Sequence, residues 1–141
     1  MKYILKLNIM SAMYALLIFY LVQSLGNFYR IARLTNWEMD IVNQAVDWSS
    51  LGVSLLFSAL FCYLNVRWLG LRKANYWTVL LWIPYFIGFT YVMVTLFPIT
   101  HPADDPGPAV GLIVLGMLIF YPFYIAILNL FSYVFQRVKS P

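Results

Sequence analysis

A run of 31 consecutive residues, 106–136, contains no Asp, Glu, Lys or Arg and reads PGPAVGLIVLGMLIFYPFYIAILNLFSYVFQ. An α-helix rises about 1.5 Å per residue, so about 20 apolar residues cross the roughly 30 Å hydrocarbon core of a bilayer. The run exceeds that length, and residues 109–135 within it are apolar except for scattered small polar groups and tyrosines. We interpret this segment as a membrane-spanning helix.

Three further stretches of the chain lack these four charged residue types: 7–29, 48–66 and 74–103. Only 10% of the chain is charged, against about 25% in soluble domains. The sequence therefore predicts an all-α membrane protein. It forms a single four-helix transmembrane domain over 1–141, with spans at about 4–25, 49–66, 76–97 and 109–135. Too few residues remain outside the spans for a soluble ATPase, a nucleic-acid-binding domain or a soluble catalytic domain.

The charged residues divide unevenly between the two ends of the predicted spans. One end has seven basic residues and no acid: Lys2, Lys6, Arg67, Arg72, Lys73, Arg137 and Lys139. The opposite end has two basic residues and all five acids: Arg30, Arg33, Glu38, Asp40, Asp47, Asp104 and Asp105. Because Lys and Arg in short loops concentrate on the cytoplasmic side, we predict that both termini are cytoplasmic. We expect an integral protein of a bacterial cytoplasmic membrane. The net charge of +4 then reflects topology, and no nucleic-acid partner is expected.

The first span lies close to the start of the chain, where secretory signal peptides also lie. A cleaved signal peptide ending near Val22-Gln23-Ser24 is the alternative, and it would leave three spans. The apolar stretch is longer than a typical signal-peptide core and stays bulky up to that point, so an uncleaved span is favoured.

The first outer loop, from Gly26 to Asp47, contains a helix-start signal. Thr35 is followed three residues later by Glu38, which is the spacing of a capping box. We predict a helix that begins at Asn36 and continues to Val66, so that the second helix extends beyond the membrane into the outer headgroup layer. Apolar residues recur at helical spacing along it: Trp37, Ile41, Ala45 and Trp48. The alternative is an irregular loop.

The third loop, 98–108, has four prolines in eleven residues and is predicted to be a stiff, non-helical connector. Together with the first loop it forms a predicted outer surface, which consists of Trp37, Glu38, Asp40, His101, Asp104 and Asp105. His101 with its two neighbouring acids has the residue types that bind divalent ions, but its spacing matches no zinc pattern, so no metal site is predicted. A membrane-surface enzyme with His101 as its base would also need a nucleophile, and no Ser or Cys motif supplies one.

Four small side chains lie at successive i, i+4 positions in the second span: Ser50, Ser54, Ser58 and Cys62. This spacing places them in one line along the helix. Lines of small residues let helices approach closely in a membrane, so this face is predicted to pack against another helix, either from this chain or from a partner.

The third and fourth spans each contain a proline beside aromatic residues. We predict a candidate mid-membrane pocket or groove framed by the two proline kinks, lined by Pro84, Tyr85, Gly88, Tyr121, Pro122 and Tyr124. The alternative is that these are ordinary prolines tolerated in spanning helices.

The chain shows no catalytic, nucleotide-binding or haem-attachment motif, and the predicted spans contain no ionisable Asp, Glu, Lys, Arg or His. We therefore predict a non-enzymatic protein without cofactor, in contact with the lipid bilayer and with another membrane protein or itself. It would act as an accessory subunit, a regulator, or an immunity or exclusion factor. The alternative is a small homo-oligomeric channel or carrier for a neutral solute.

Overall fold

The computed structural model describes residues 2–139, without the side chain of Lys139. Over this part of the chain it is 89% helical and has no strands. The α-helices are α1 (Tyr3–Gly26), α2 (Phe28–Thr35), α3 (Met39–Leu64), α4 (Thr78–Leu96) and α5 (Gly107–Lys139). Met1, Ser140 and Pro141 lie outside the described residues, as does the predicted basic group of Lys139.

Four helices are long and apolar enough to cross a membrane. They are Tyr3–Gly26, Met39–Leu69, Lys73–Leu96 and Gly107–Val138, with mean hydropathies of 1.8, 1.6, 1.9 and 2.3 over their most apolar windows. The all-α class and the four apolar helices predicted from the sequence are therefore confirmed, and these helices are compatible with an integral membrane protein.

The first helix occupies the centre of the bundle. In its most apolar window 39% of the residues are buried, against 17%, 6% and 11% in the other three helices. Its most extensive contact is with α4, and it also touches α3 and α5. The side chains of Met10, Tyr14 and Ile18, spaced four apart, are essentially inaccessible and form one buried row.

Hydrogen bonds between helices show which helix ends lie together. One end of the bundle holds the start of α1 and the C-terminal part of α5, and we call it the termini end. There the Tyr3 hydroxyl donates to Asn75 over 2.7 Å, and Asn129 donates to Thr78 over 2.9 Å. At the other, the α2 end, Arg30 donates to the backbone carbonyl of Phe97 over 3.2 Å. Thus α1 and α4 run parallel, and α3 and α5 run in the opposite direction.

The α2 end contains a helix that the sequence analysis did not identify. In α2, Ala32 packs with Val42 and Val46 of α3 in a small separate core. This arrangement corrects the predicted capping box. The Thr35 hydroxyl donates back to the Ile31 carbonyl over 2.7 Å and lies at the end of α2, and Asn36 follows in the left-handed conformation (φ 56°).

The predicted long second helix is present, but it begins and ends three residues later than expected. It is one helix over Met39–Leu69, 31 residues, and its last five residues, Asn65–Leu69, form a π-helical turn. Such turns are rare in α-helices. Gly70 ends the helix with φ 62°, a conformation that glycine adopts without the penalty that a side chain would impose.

The proline-rich loop is not wholly extended, which corrects the predicted non-helical connector. Residues Pro102–Asp104 form a 3-10 turn, and the His101 imidazole caps it by accepting from the Ala103 N–H over 3.2 Å. Proline favours the first position of such a turn because its φ is already helical and it has no N–H to satisfy.

Candidate functional site

An arginine–aspartate cluster closes the α2 end of the bundle. Asp104 accepts two hydrogen bonds from Arg33, Nε to Oδ1 and Nη2 to Oδ2, each 2.8 Å long. The Nε of Arg30 approaches the same carboxylate at 3.5 Å. Asp104 is only 1% exposed, so this carboxylate is buried beneath two guanidinium groups.

Arg30 also holds the end of the third spanning helix. Its guanidinium donates to the backbone carbonyl of Phe97 over 3.2 Å and to that of Pro98 over 2.6 Å. Carbonyls at a helix C-terminus lack intrahelical hydrogen-bond donors and carry a partial negative charge. A guanidinium at this position donates hydrogen bonds to them and balances that charge. One side chain thereby fastens α2 to the end of α4 and to the 3-10 turn.

The two arginines keep Asp104 ionised. Hydrogen bonds from Arg33 are the largest influence and lower the pKa of Asp104 to about 2; burial acts in the opposite direction, and Arg30 adds a smaller lowering effect. The same contact raises the pKa of Arg33. The cluster therefore retains two positive charges and one negative charge at any ordinary pH.

Acid is expected to loosen α2 only at low pH. Because the pKa of Asp104 is depressed from 3.8 to about 2 by folding, its stabilisation is complete above pH 3.8 and disappears as the pH falls towards 2. Hydrogen exchange of the α2 amides, corrected for the intrinsic rate at each pH, should show constant protection from pH 7 to about 4 and declining protection below that. Loss of protection between pH 7 and 5 would contradict the assignment.

The buried position of Asp104 corrects its predicted place on the open outer surface. The carboxylate is covered because Arg30 and Arg33, three residues apart on one face of α2, both reach it. The other members of that surface are exposed: Trp37, Glu38, Asp40, His101 and Asp105. Within residues 2–139, no group of three or more His, Cys, Asp or Glu residues is arranged to hold a metal ion.

A second feature is a groove between α3 and α5, which we call the α3–α5 groove. Midway along it the hydroxyls of Ser58 and Tyr124 lie 2.6 Å apart and form a hydrogen bond. On the α2 side of this contact a cavity of about 240 Å³ is lined mainly by α5 and α1, and Ser54 borders it from α3. On the termini side a cavity of about 380 Å³ is bordered by residues of both helices, Cys62, Val66, Phe131, Ser132 and Phe135. Space therefore remains on either side of the Ser58 contact.

The predicted line of small residues follows this groove. Ser54 and Cys62 border one cavity each, Ser58 makes the central contact, and Ser50 is partly buried one turn farther towards the α2 end. The Ser58 hydroxyl also lies 2.7 Å from the Ser54 carbonyl, an intrahelical bond that Ser commonly makes in spanning helices. The line thus contacts α5 of the same chain through the Ser58 hydroxyl, and all four of its members are only partly buried.

The residues of the candidate proline-framed pocket lie on differently exposed faces of α4 and α5. Pro84 and Gly88 are exposed, and nothing lies within 4 Å of a Cβ built on Gly88. They share one face of α4, and the opposite face carries the large side chains that pack into the core, including Trp82. Tyr85 lies between these faces and its hydroxyl donates to Asn8 over 2.8 Å.

Tyr121 and Tyr124 of α5 face the bundle, whereas the neighbouring Phe120 and Phe123 are exposed. Tyr121 and Tyr124 stack with ring centroids 5.5 Å apart, and Pro122 between them is partly buried. The Tyr121 hydroxyl donates to the backbone carbonyl of Tyr14 over 2.6 Å. Tyr14 is the central residue that the sequence analysis missed: its ring lies 4.1 Å from that of Phe61, and its hydroxyl accepts from Asn65 over 3.0 Å.

Comparison of the chain with protein-family models, with curated proteins and with solved structures finds no match. The function is therefore argued from the geometry of the α3–α5 groove and of the α2 end.

Proposed function

We propose that the protein is a non-enzymatic helix bundle that acts by binding a transmembrane helix of another membrane protein in the α3–α5 groove. Its role would be that of an accessory subunit, a regulator, or an immunity or exclusion factor. The observation that supports this is a line of small side chains that the chain's own fifth helix contacts through Ser58 but does not cover.

The physical argument rests on packing. Protein interiors are filled as tightly as organic crystals, and contacts are lost wherever a gap remains between two helices. Lipid does not drive helices together, so helix association in membranes depends on close contact along small residues and on hydrogen bonds between helices. Large side chains of a partner helix that entered the 240 and 380 Å³ cavities would supply the missing contacts.

The α2 end offers a second, extramembrane contact in this proposal. Trp37, Ile41 and Trp48 are 51%, 50% and 72% exposed, and Glu38 and Asp40 beside them are exposed as well. An apolar surface with an acidic border suits a basic, amphipathic segment of the partner. We further propose that this end faces away from the cytoplasm of a bacterium, because the basic residues gather at the termini end.

The single cysteine of the chain allows a direct test. We would attach a benzophenone-maleimide to Cys62, which borders the groove, and irradiate intact membranes. The expected result is one discrete cross-linked product with a second membrane protein. In the matched control, Cys62→Ser with Ala59→Cys, the probe sits on an exposed position of the same helix and should give no such product.

A second variant distinguishes groove binding from non-specific proximity. Ser54→Phe fills the 240 Å³ cavity, whereas Leu55→Phe adds an aromatic ring at an exposed neighbouring position. We expect the first variant, but not the second, to abolish the Cys62 cross-link while the chain keeps its helical content. A Cys62 product with the mass of two copies of this chain would favour the alternative, a homo-oligomeric channel or carrier, and lipid adducts alone would overturn the proposal.

A further inference from the structure

A separate cavity of about 660 Å³ lies at the α2 end, on the side of α1 that faces α3 and α4. Its volume falls in the range of about 300–1,000 Å³ that is typical of small-molecule sites. The lower walls are apolar and come from three spanning helices: Leu16, Phe19, Val53, Phe57 and Met93. Ile31 and Leu34 of α2 border the cavity at the α2 end. The cavity is thus an apolar slot that α2 borders at one end.

The rim of this cavity carries hydrogen-bond donors that the chain itself does not use. Asn27 donates to the Gln23 Oε1 over 2.9 Å, while the Gln23 Nε2 has no acceptor within the described residues. The Tyr20 hydroxyl likewise has no partner among residues 2–139. Four of the five N–H groups of Arg30 are directed to Asn27, Asp104 and two carbonyls, and one remains. Residues at the rim therefore carry N–H and O–H groups that have no acceptor within residues 2–139.

The charge at the rim favours an anionic group. Arg30 and Arg33 share a single buried carboxylate, so the cluster has two positive charges and one negative charge. Arg30 itself borders the cavity. A ligand group with acceptors only and a negative charge would satisfy both the free donors and the excess charge.

We propose that this cavity binds a glycerophospholipid from the leaflet at the α2 end, with an acyl chain in the apolar slot and its phosphate and ester oxygens at Gln23, Tyr20 and Arg30. A partner helix is a poorer occupant because its backbone acceptors are already bonded within the helix. Phosphate and ester oxygens are acceptors without hydrogens of their own, which matches the rim. The inference is independent of the α3–α5 groove.

Native mass spectrometry of the full chain, released from a mild detergent, tests the proposal. The wild-type protein should retain one phospholipid after detergent washing, and delipidated protein should rebind phosphatidylglycerol or phosphatidylethanolamine. Diacylglycerol, which has the acyl chains but no phosphate, should bind about tenfold more weakly, the change expected for losing hydrogen bonds to a charged group.

Two variants with matched controls locate the site. Val53→Trp fills the slot, whereas Leu56→Trp adds the same ring at an exposed position of the same helix. Gln23→Leu removes rim donors without adding bulk, and Gln44→Leu makes the same change at an exposed position outside the cavity. We expect the two cavity variants to lose the retained lipid, Gln23→Leu by about tenfold, and the controls to keep it.

The outcomes are distinct. If Val53→Trp fails to fold, Gln23→Leu still decides, because it leaves the packing of the core unchanged. Retention of lipid by the cavity variants at the level of their controls would overturn the proposal, as would the absence of a retained phospholipid in the wild-type protein. Equal binding of diacylglycerol and phospholipid would show that the rim does not bind the phosphate, and would contradict the proposal.

Discussion

Asp104→Asn is expected to release α2 from the rest of the molecule. The substitution keeps the shape of the side chain but removes the charge that Arg33 and Arg30 share, and it leaves two guanidinium groups close together without a counter-charge. Removing one partner of a buried ion pair is strongly destabilising because an uncompensated charge remains. Limited trypsin digestion in detergent should cleave after Arg30 and Arg33 about tenfold faster or more in the variant.

The neighbouring acid provides the matched control. Asp105 is exposed and accepts a hydrogen bond from the backbone N–H of Gly107 over 3.0 Å, at the start of α5, but it makes no ion pair within the described residues. Asp105→Asn keeps an acceptor at that position, so tryptic cleavage in α2 should stay at the wild-type rate. Equal rates in the two variants would mean that the Asp104 contacts do not hold α2 in place.

The four long apolar helices could be predicted from sequence because a bilayer imposes a simple requirement on any helix that crosses it. Every backbone polar group in the hydrocarbon core must be bonded within the protein, and charges there are costly. Charge-free stretches such as 48–66 and 106–136 therefore mark helices regardless of their packing. The long second helix followed from the same argument, and its start was misplaced only because Thr35 closes the preceding helix instead of opening this one.

The faces of the helices were harder to predict. In a soluble protein the buried face is apolar and the other is polar, but in lipid both faces are apolar and the periodicity gives no direction. Pro84 and Gly88 were for that reason assigned to a pocket although they are exposed. The contact of Ser58 with Tyr124 lies on a face that residue size, rather than hydrophobicity, singles out in the sequence.

The arginine–aspartate cluster escaped prediction for a different reason. Asp104 is separated from Arg30 by 74 positions, and neither residue belongs to a local motif. The available signal was the pair of arginines three apart in a loop that otherwise carries acids. Arg30 belongs both to this cluster and to the lining of the 660 Å³ cavity, and no sequence motif links the two features.

Tyr14→Ala should cause the largest loss of stability among single substitutions in the four-helix bundle. Tyr14 is fully buried in the central helix and its ring packs on Phe61 at 4.1 Å. Truncating a buried aromatic side chain to Ala costs about 3–5 kcal/mol, since the surrounding residues only partly fill the space. Unfolding in mixed micelles with increasing denaturing detergent would give the free energy of unfolding of each variant.

Comparison with Tyr14→Phe separates the ring from its hydroxyl. Tyr121 donates to the backbone carbonyl of Tyr14, so that bond survives both substitutions, and Phe loses only the bond with Asn65. Hydrogen bonds between helices in membranes contribute about 0.6–2 kcal/mol, so Tyr14→Phe should cost much less than Tyr14→Ala.

Tyr91→Ala, at a position 70% exposed, controls for the loss of an exposed aromatic ring and should change the free energy of unfolding by about 0.5 kcal/mol or less. A Tyr14→Ala cost no greater than that of Tyr91→Ala would show that α1 is not the packing centre of the bundle.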